Sequence, residues 1–282
     1  MKRFIVLAAA AVLALGNTLH AAVPVEVVHG TSYIAPAYFG PYAYPVPDCS
    51  DAKLHSRLYV EASFDGVVGH AVQQKDYTLC PSFKLVVPLW TDRANLLIFG
   101  DVHEFFKDNA EVRAYRRVAP SEPLQEESSG NIYYGIEMLV LTEGQYRPSV
   151  VLAAYTQSAT GDKYEMARHY DCPGYHFTLS AGKSLGAWRV SAYGGFLCWQ
   201  TDRGRQNDAV MLGAKLSYDS KWLTASAEYG QYTGWEKQGD RPQVLKLRTD
   251  FHIGHVSPFV NWQHGFRDWP FDLLRVGAAY SF

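Results

Sequence analysis

Past its first fifteen residues the chain lacks any long apolar run, so no later segment approaches the roughly 20 apolar residues that a membrane-spanning helix needs. Excess positive charge is also missing. Lys and Arg number 26 against 28 Asp and Glu, which argues against nucleic acid or an anionic surface as partner. Cysteine is scarce, with four residues and no C-x-x-C spacing, so nothing points to a zinc or redox centre. Segments of helical period are nearly absent, which leaves strands as the regular structure. Aromatic residues, by contrast, are plentiful at 14 % of the chain, with 19 Tyr and 7 Trp.

The first residues have the order of a secretory signal. Lys2 and Arg3 precede an apolar run from Phe4 to Leu15, and Gly16 and Asn17 lead into a small-residue stretch ending Ala21-Ala22. Residues 1–21 are read as a signal peptide, cleaved after Ala21 or Ala22, and no Cys follows at once to suggest a lipidated terminus. Losing Lys2 and Arg3 leaves 24 basic against 28 acidic residues, a formal charge of about −4. The remaining 260 or so residues suit one domain.

Period-two alternation recurs over 57–66, 80–90, 94–105, 131–142, 147–158, 174–184, 187–199, 208–219, 221–233, 243–254, 256–265 and 271–282. In 243–254, Leu245, Leu247, Phe251 and Ile253 oppose Lys246, Arg248, Asp250 and His252. In 57–66, Leu58, Val60, Ala62 and Phe64 oppose Tyr59, Glu61 and Ser63. Segments of about ten residues match a tilted membrane strand. The connections alternate in length. Short ones at 91–93, 143–146, 185–186, 220 and 255 are separated by longer polar stretches at 67–79, 106–130, 159–173, 200–207, 234–242 and 266–270. Every short turn then falls at one end, as do both ends of the strand region. About 12 strands result, or 14 if Glu111 to Val118 and its neighbours form a further hairpin. Trp90, Trp188 and Trp222 fall at the turn end, and Trp199, Trp235, Trp262 and Trp269 near the loop end, as two aromatic belts would require. By parity, Trp199 and Trp222 point inward.

The last ten residues carry the sharpest signal. Leu274, Val276, Ala278, Tyr280 and Phe282 share one face, while Arg275, Gly277, Ala279 and Ser281 share the other. This strand, ending on Phe282 with Tyr280 two residues earlier, resembles the closing strand of bacterial outer-membrane β-barrels. The resemblance implies an all-β fold, an antiparallel transmembrane barrel over residues 57–282, located in the bacterial outer membrane. It further implies outer-membrane lipid as the outside partner, and Tyr280 and Phe282 as a signal read by the barrel-assembly machinery.

Residues 22–56 form a separate N-terminal segment. Tyr33, Tyr38, Tyr42 and Tyr44 alternate with Pro36, Pro41, Pro45 and Pro47, which forbids helix and central strand. It is expected to be extended, lining the barrel interior, hanging in the periplasm or pairing with a partner. Four Cys in an exported chain suggest disulfides. Cys172 and Cys198 flank the hairpin that turns at Leu185-Gly186, and Cys49 and Cys80 are left. Cys49 can reach Cys80 only through the lumen, so residues 40–56 are expected to thread the barrel as a plug.

Catalytic motifs are weak. Gly182-Lys183-Ser184-Leu185-Gly186 matches G-x-S-x-G, but a nucleophile elbow needs a helix after the serine, and here a strand follows. His252 and His255, three apart on a strand, fall on opposite faces, so no metal site or cofactor is expected. Trp262-Gln263-His264 is similar to the catalytic-His segment of one outer-membrane deacylase group, in which Ser follows two residues later. Phe266 stands there instead. His264 and His176 are the candidates for a lipid hydrolase of lipid A deacylase or phospholipase type.

The expected lumen is more informative. Glu61, Lys84, Asp101, His103, Glu137, His176, Arg189, Lys215, Glu228, Lys246, Arg248, Asp250, Asn261, Gln263, His252 and Arg275 all point inward by parity. Charges of both signs either pair across a narrow barrel or line a small aqueous path. Lys246, Arg248 and Arg275 cluster on the last three strands, which favours a small polar or anionic solute. A narrow channel or porin is the leading expectation. A lipid hydrolase or a structural barrel displaying its loops are the alternatives.

Overall fold

The computed structural model describes residues 40–282 except 44, 71–74, 91, 108, 117–123, 125, 162–172, 203–204, 236 and 238. The signal segment 1–21 and Cys172 therefore lie outside the described residues.

Alternation and β-branched or aromatic content produce fourteen strands among the described residues. They are β1 (Tyr59–Gly69), β2 (Tyr77–Leu89), β3 (Ala94–Asp101), β4 (His103–Phe106), β5 (Glu127–Ser129), β6 (Ile132–Leu141), β7 (Ser149–Gln157), β8 (Gly174–Leu185), β9 (Trp188–Asp202), β10 (Arg205–Asp219), β11 (Leu223–Gly234), β12 (Gln243–Phe251), β13 (Val256–Arg267) and β14 (Phe271–Ser281). All pairings are antiparallel. Strand β1 pairs with both β2 and β14, so the ladder closes on itself through twelve strands, β4 and β5 being a short extension beside β2. The closing seam runs from Tyr59 opposite Ser281 to Gly69 opposite Phe271. Closure leaves no unpaired edge, the condition for a sheet to stand in hydrocarbon.

The two faces differ as the period dictates. Phe64, Phe177, Leu179, Val210, Leu274, Val276 and Phe282 are exposed on the outer wall, whereas Glu61, Ser63, Asp65, Glu137, Ser180, Ser191, Ser217, Glu228 and Lys246 are buried inside. Short turns gather at one end, and the β8–β9 turn shows why. Gly186 has φ 68°, a left-handed conformation that costs glycine little and lets two residues reverse the chain. Trp90, Trp188 and Trp222 are exposed at this turn end, and Trp235 is exposed at the loop end.

Three expectations are corrected. The described part of the Glu111 to Val118 region is not a strand: Ala110–Arg116 form a short helix, α1, whose Val112 amide donates to the Asn109 side chain. Trp222 does not point inward, because Ser220–Trp222 is a turn before β11 begins, and the indole is exposed. His103 also misses the lumen. Ser82 faces Asp101 but Leu79 faces Phe105, so one extra residue near Val102 bulges the strand and resets its parity. Glu104, wholly buried, takes the inward position, while His103 lies beside Glu127 and Phe105.

Candidate functional site: an occupied lumen

A twelve-strand barrel is wider than its own inward side chains can fill. Here residues 40–56 occupy the space. Starting at the loop end, the Trp269 indole donates to the Pro41 carbonyl at 3.0 Å. Tyr42 is buried and its hydroxyl donates to Asp65 at 3.1 Å. Deeper, Lys246 pairs with Asp48 and donates to the Val46 carbonyl, and the Tyr193 hydroxyl donates to the Pro47 carbonyl. The Cys49 amide donates to Glu228 at 2.8 Å. Asp51 accepts from Lys215 at 3.1 Å and from Ser217 at 3.2 Å. Near the turn end, the His55 amide can donate to the Asn95 side-chain oxygen at 2.9 Å, and the His55 carbonyl can accept from the Asn95 side-chain nitrogen at 3.1 Å. The chain then reverses into β1. The segment thus descends the lumen from loop end to turn end.

Arg189, at the bottom of β9, fastens the segment most heavily. Its guanidinium donates to the Asp51 and Ala52 carbonyls, to Ser149, to Ser184 and to Glu143. A planar fork of five donors suits such a cluster of acceptors. The Gly-Lys-Ser-Leu-Gly run belongs to this arrangement. A Cβ on Gly182 would lie 2.6 Å from the Asp51 carbonyl, so glycine makes room for the segment. Ser184 binds Glu143 and Arg189. Glu143, in the β6–β7 turn, is pulled both ways. Burial opposes its ionisation, but the Ser184 amide, Arg189 and Lys183 outweigh it and hold the carboxyl at about 2.

The remaining inward charges mostly pair along the wall. Arg275 makes two 2.6 Å bonds to Asp65, a wholly buried carboxylate that the sequence reading left off its lumen list. Arg248 bonds Glu61 at 2.9 Å and Asp250 at 2.7 Å, with its guanidinium over the Phe259 ring. Glu137 accepts from Tyr155, and His252 lies at the turn end between Thr224 and Ser257. Lys84 has no carboxylate partner among the described residues. It lines a cavity of about 210 Å³ left between segment and wall, together with Asp101, Glu137, His176, Asn261, Gln263 and Arg275.

The expected Cys49–Cys80 pairing is corrected, whereas the Cys172–Cys198 pairing falls on Cys172, outside the described residues. Cys49, Cys80 and Cys198 are free thiols. Cys49 is held beside β11 by Glu228, whereas Cys80 sits on β2, five strands round the wall. Neither histidine candidate has a serine bonded to it among the described residues. His176 is enclosed in the lumen between Tyr155 and Trp199, away from lipid. His264 stands on the outer wall with Asp272 at 2.7 Å.

No protein-family model matches the chain, and no curated protein sequence is similar to it. Solved structures are. The chain is similar to the NanC porin at TM-score 0.51 and 8 % identity, over 78 % of this chain and 100 % of that one. It is similar to an outer-membrane channel of Pseudomonas putida F1 at TM-score 0.50 and 14 % identity, over 84 % and 100 %. The translocator domain of autotransporter NalP from Neisseria meningitidis gives TM-score 0.45 at 13 % identity, over 81 % and 89 %. A closed antiparallel barrel with an apolar outer wall and a charged lumen is the fold of the bacterial outer-membrane β-barrels, and this chain has it.

Proposed function

We propose that the protein is a narrow outer-membrane channel for small polar or anionic solutes, closed by residues 40–56 in the conformation described. The observation that carries this reading is the chemistry of the contact between segment and wall. Most bonds that hold the segment join Lys, Arg, Glu, Ser or Tyr of the strands, and Trp269 between β13 and β14, to backbone groups or to Asp48 and Asp51. Water can replace each of them when the segment leaves, so the vacated lumen is a hydrated path rather than an apolar void. A barrel built only for display has no need of a wall that can be wetted. Lys84, which lines the residual cavity and makes no ion pair among the described residues, supplies the bias toward anions. By the same topology the short turns face the periplasm and the longer loops face outward. The C-terminal Tyr280 and Phe282 would engage the assembly machinery.

The test is planar-bilayer recording of the full chain and of a variant lacking residues 23–50, with heat-modifiable gel mobility confirming that both barrels form. The full chain should be silent or open rarely, and the deletion should give larger, long-lived steps. Lys84→Glu in the deletion should move the reversal potential toward cation preference. A silent, correctly formed deletion variant would remove the channel reading.

A further inference from the structure

A second cluster lies outside the lumen. His264 on β13 and Asp272 on β14 face each other across the strands, and both point outward because their neighbours Gln263 and Leu273 face the lumen. His70 follows the last residue of β1, where its amide donates to the Pro270 carbonyl at 2.9 Å. Its ring stacks on that of His264 with centroids 5.1 Å apart and planes 20° from parallel. One donor atom from each of His70, His264 and Asp272 lies within 4.8 Å of the other two.

We infer that His70, His264 and Asp272 form a site for a divalent transition metal of the zinc class at the loop end of the barrel seam. Two imidazole nitrogens and one carboxylate oxygen are a donor set such ions prefer, and the set leaves a fourth position open. The site is held in place before any ion arrives. Trp262 stacks on His264 from one side, Phe266 meets it edge-on, and the carboxylate of Asp272 fixes its ring by a 2.7 Å bond. The Nε2 atom of His70 is shielded from solvent and has no hydrogen-bond partner among the described residues, a buried polar atom whose cost a metal bond would remove. Nothing in the lumen architecture requires two stacked histidines and an aspartate on the outer wall.

The location gives the ion a structural task. β1 and β14 are the strands whose pairing closes the barrel, and β13 pairs with β14. His70, Asp272 and His264 come from these three strands or the residue next to them. A bound ion therefore fastens the closing seam at its loop end. Single-strand periodicity could not show this, because the donors are almost 200 residues apart and meet only on closure.

Isothermal titration of Zn²⁺ into untagged, detergent-solubilised full chain at neutral pH tests the site, read beside thermal unfolding with and without the ion. One equivalent should bind, and the ion should raise the melting temperature. His70→Ala, which lies outside the strands, and Asp272→Asn should each weaken binding by about tenfold or more and abolish the thermal shift. His255→Ala, at the opposite end, should change neither. Absence of stoichiometric binding, or binding that His70→Ala and Asp272→Asn leave intact, would overturn the inference.

Discussion

Arg275 illustrates what one inward residue does in this barrel. Its two bonds reach Asp65, a carboxylate with no solvent contact, which also accepts from Tyr42 of the segment. Replacing Arg275 by Met leaves that carboxylate buried beside a donor too weak to neutralise it, at a cost of about 3–5 kcal/mol. Urea unfolding in lipid vesicles, followed by Trp fluorescence, should show the loss, and adding Asp65→Asn should recover much of it. An unchanged midpoint for Arg275→Met would mean that the pair is solvated and incidental. The partners at this scale were only half legible. Parity placed Arg275 inside, but half the segment's bonds are to backbone carbonyls, which carry no side-chain signature. The Cys49–Cys80 pairing was not met for a related reason: cysteine count says nothing about which wall sector each thiol meets.

Among the elements, the strands were the most readable part of the sequence. Two-sided chemistry forces a period of two wherever one face meets hydrocarbon and the other a charged lumen, so all twelve barrel strands lie close to the alternating segments. Departures occur where that constraint lapses. The bulge near Val102 and helix α1 belong to the extension above the barrel, where neither face is dictated by lipid. Trp222 sits in a turn, where parity has no meaning. Turns nonetheless carry stability. Glu143 ties the β6–β7 turn to Ser184 and Arg189 beside the β8–β9 turn. Its carboxyl is held at about 2, against about 4.3 in an unfolded chain. A depressed carboxyl stabilises the folded state in full above the unfolded value, and the contribution fades as pH falls from about 4.5 toward 2. Between pH 6 and pH 3 the melting temperature of the wild type should therefore fall further than that of Glu143→Gln. Equal falls would show that the Glu143 carboxyl is not held low in the folded state.

For the molecule as a whole, the barrel and its filling are one design. Twelve strands enclose more volume than inward side chains can pack, and residues 40–56 take up the difference through polar contacts spread from Trp269 at one end to Arg189 at the other. Proline spacing announced an extended segment, but that the lumen charges would bind its backbone and its aspartates was not legible. The direction of its descent, loop end to turn end, appears only when Pro41, Asp48 and Asp51 are seen against their partners. Closure then has a mechanical meaning: as the proposed channel, the barrel opens only if the segment moves.

Locking the segment puts that claim to its most direct test. A Cβ built on Gly230 lies 3.1 Å from Cγ1 of Val46, so Val46→Cys with Gly230→Cys places two sulfurs within disulfide reach. In a background without the four native cysteines, the pair should cross-link on oxidation, and single-channel recording should show no openings until reductant is added. Failure to cross-link, or cross-linked protein that opens as often as reduced protein, would contradict the account.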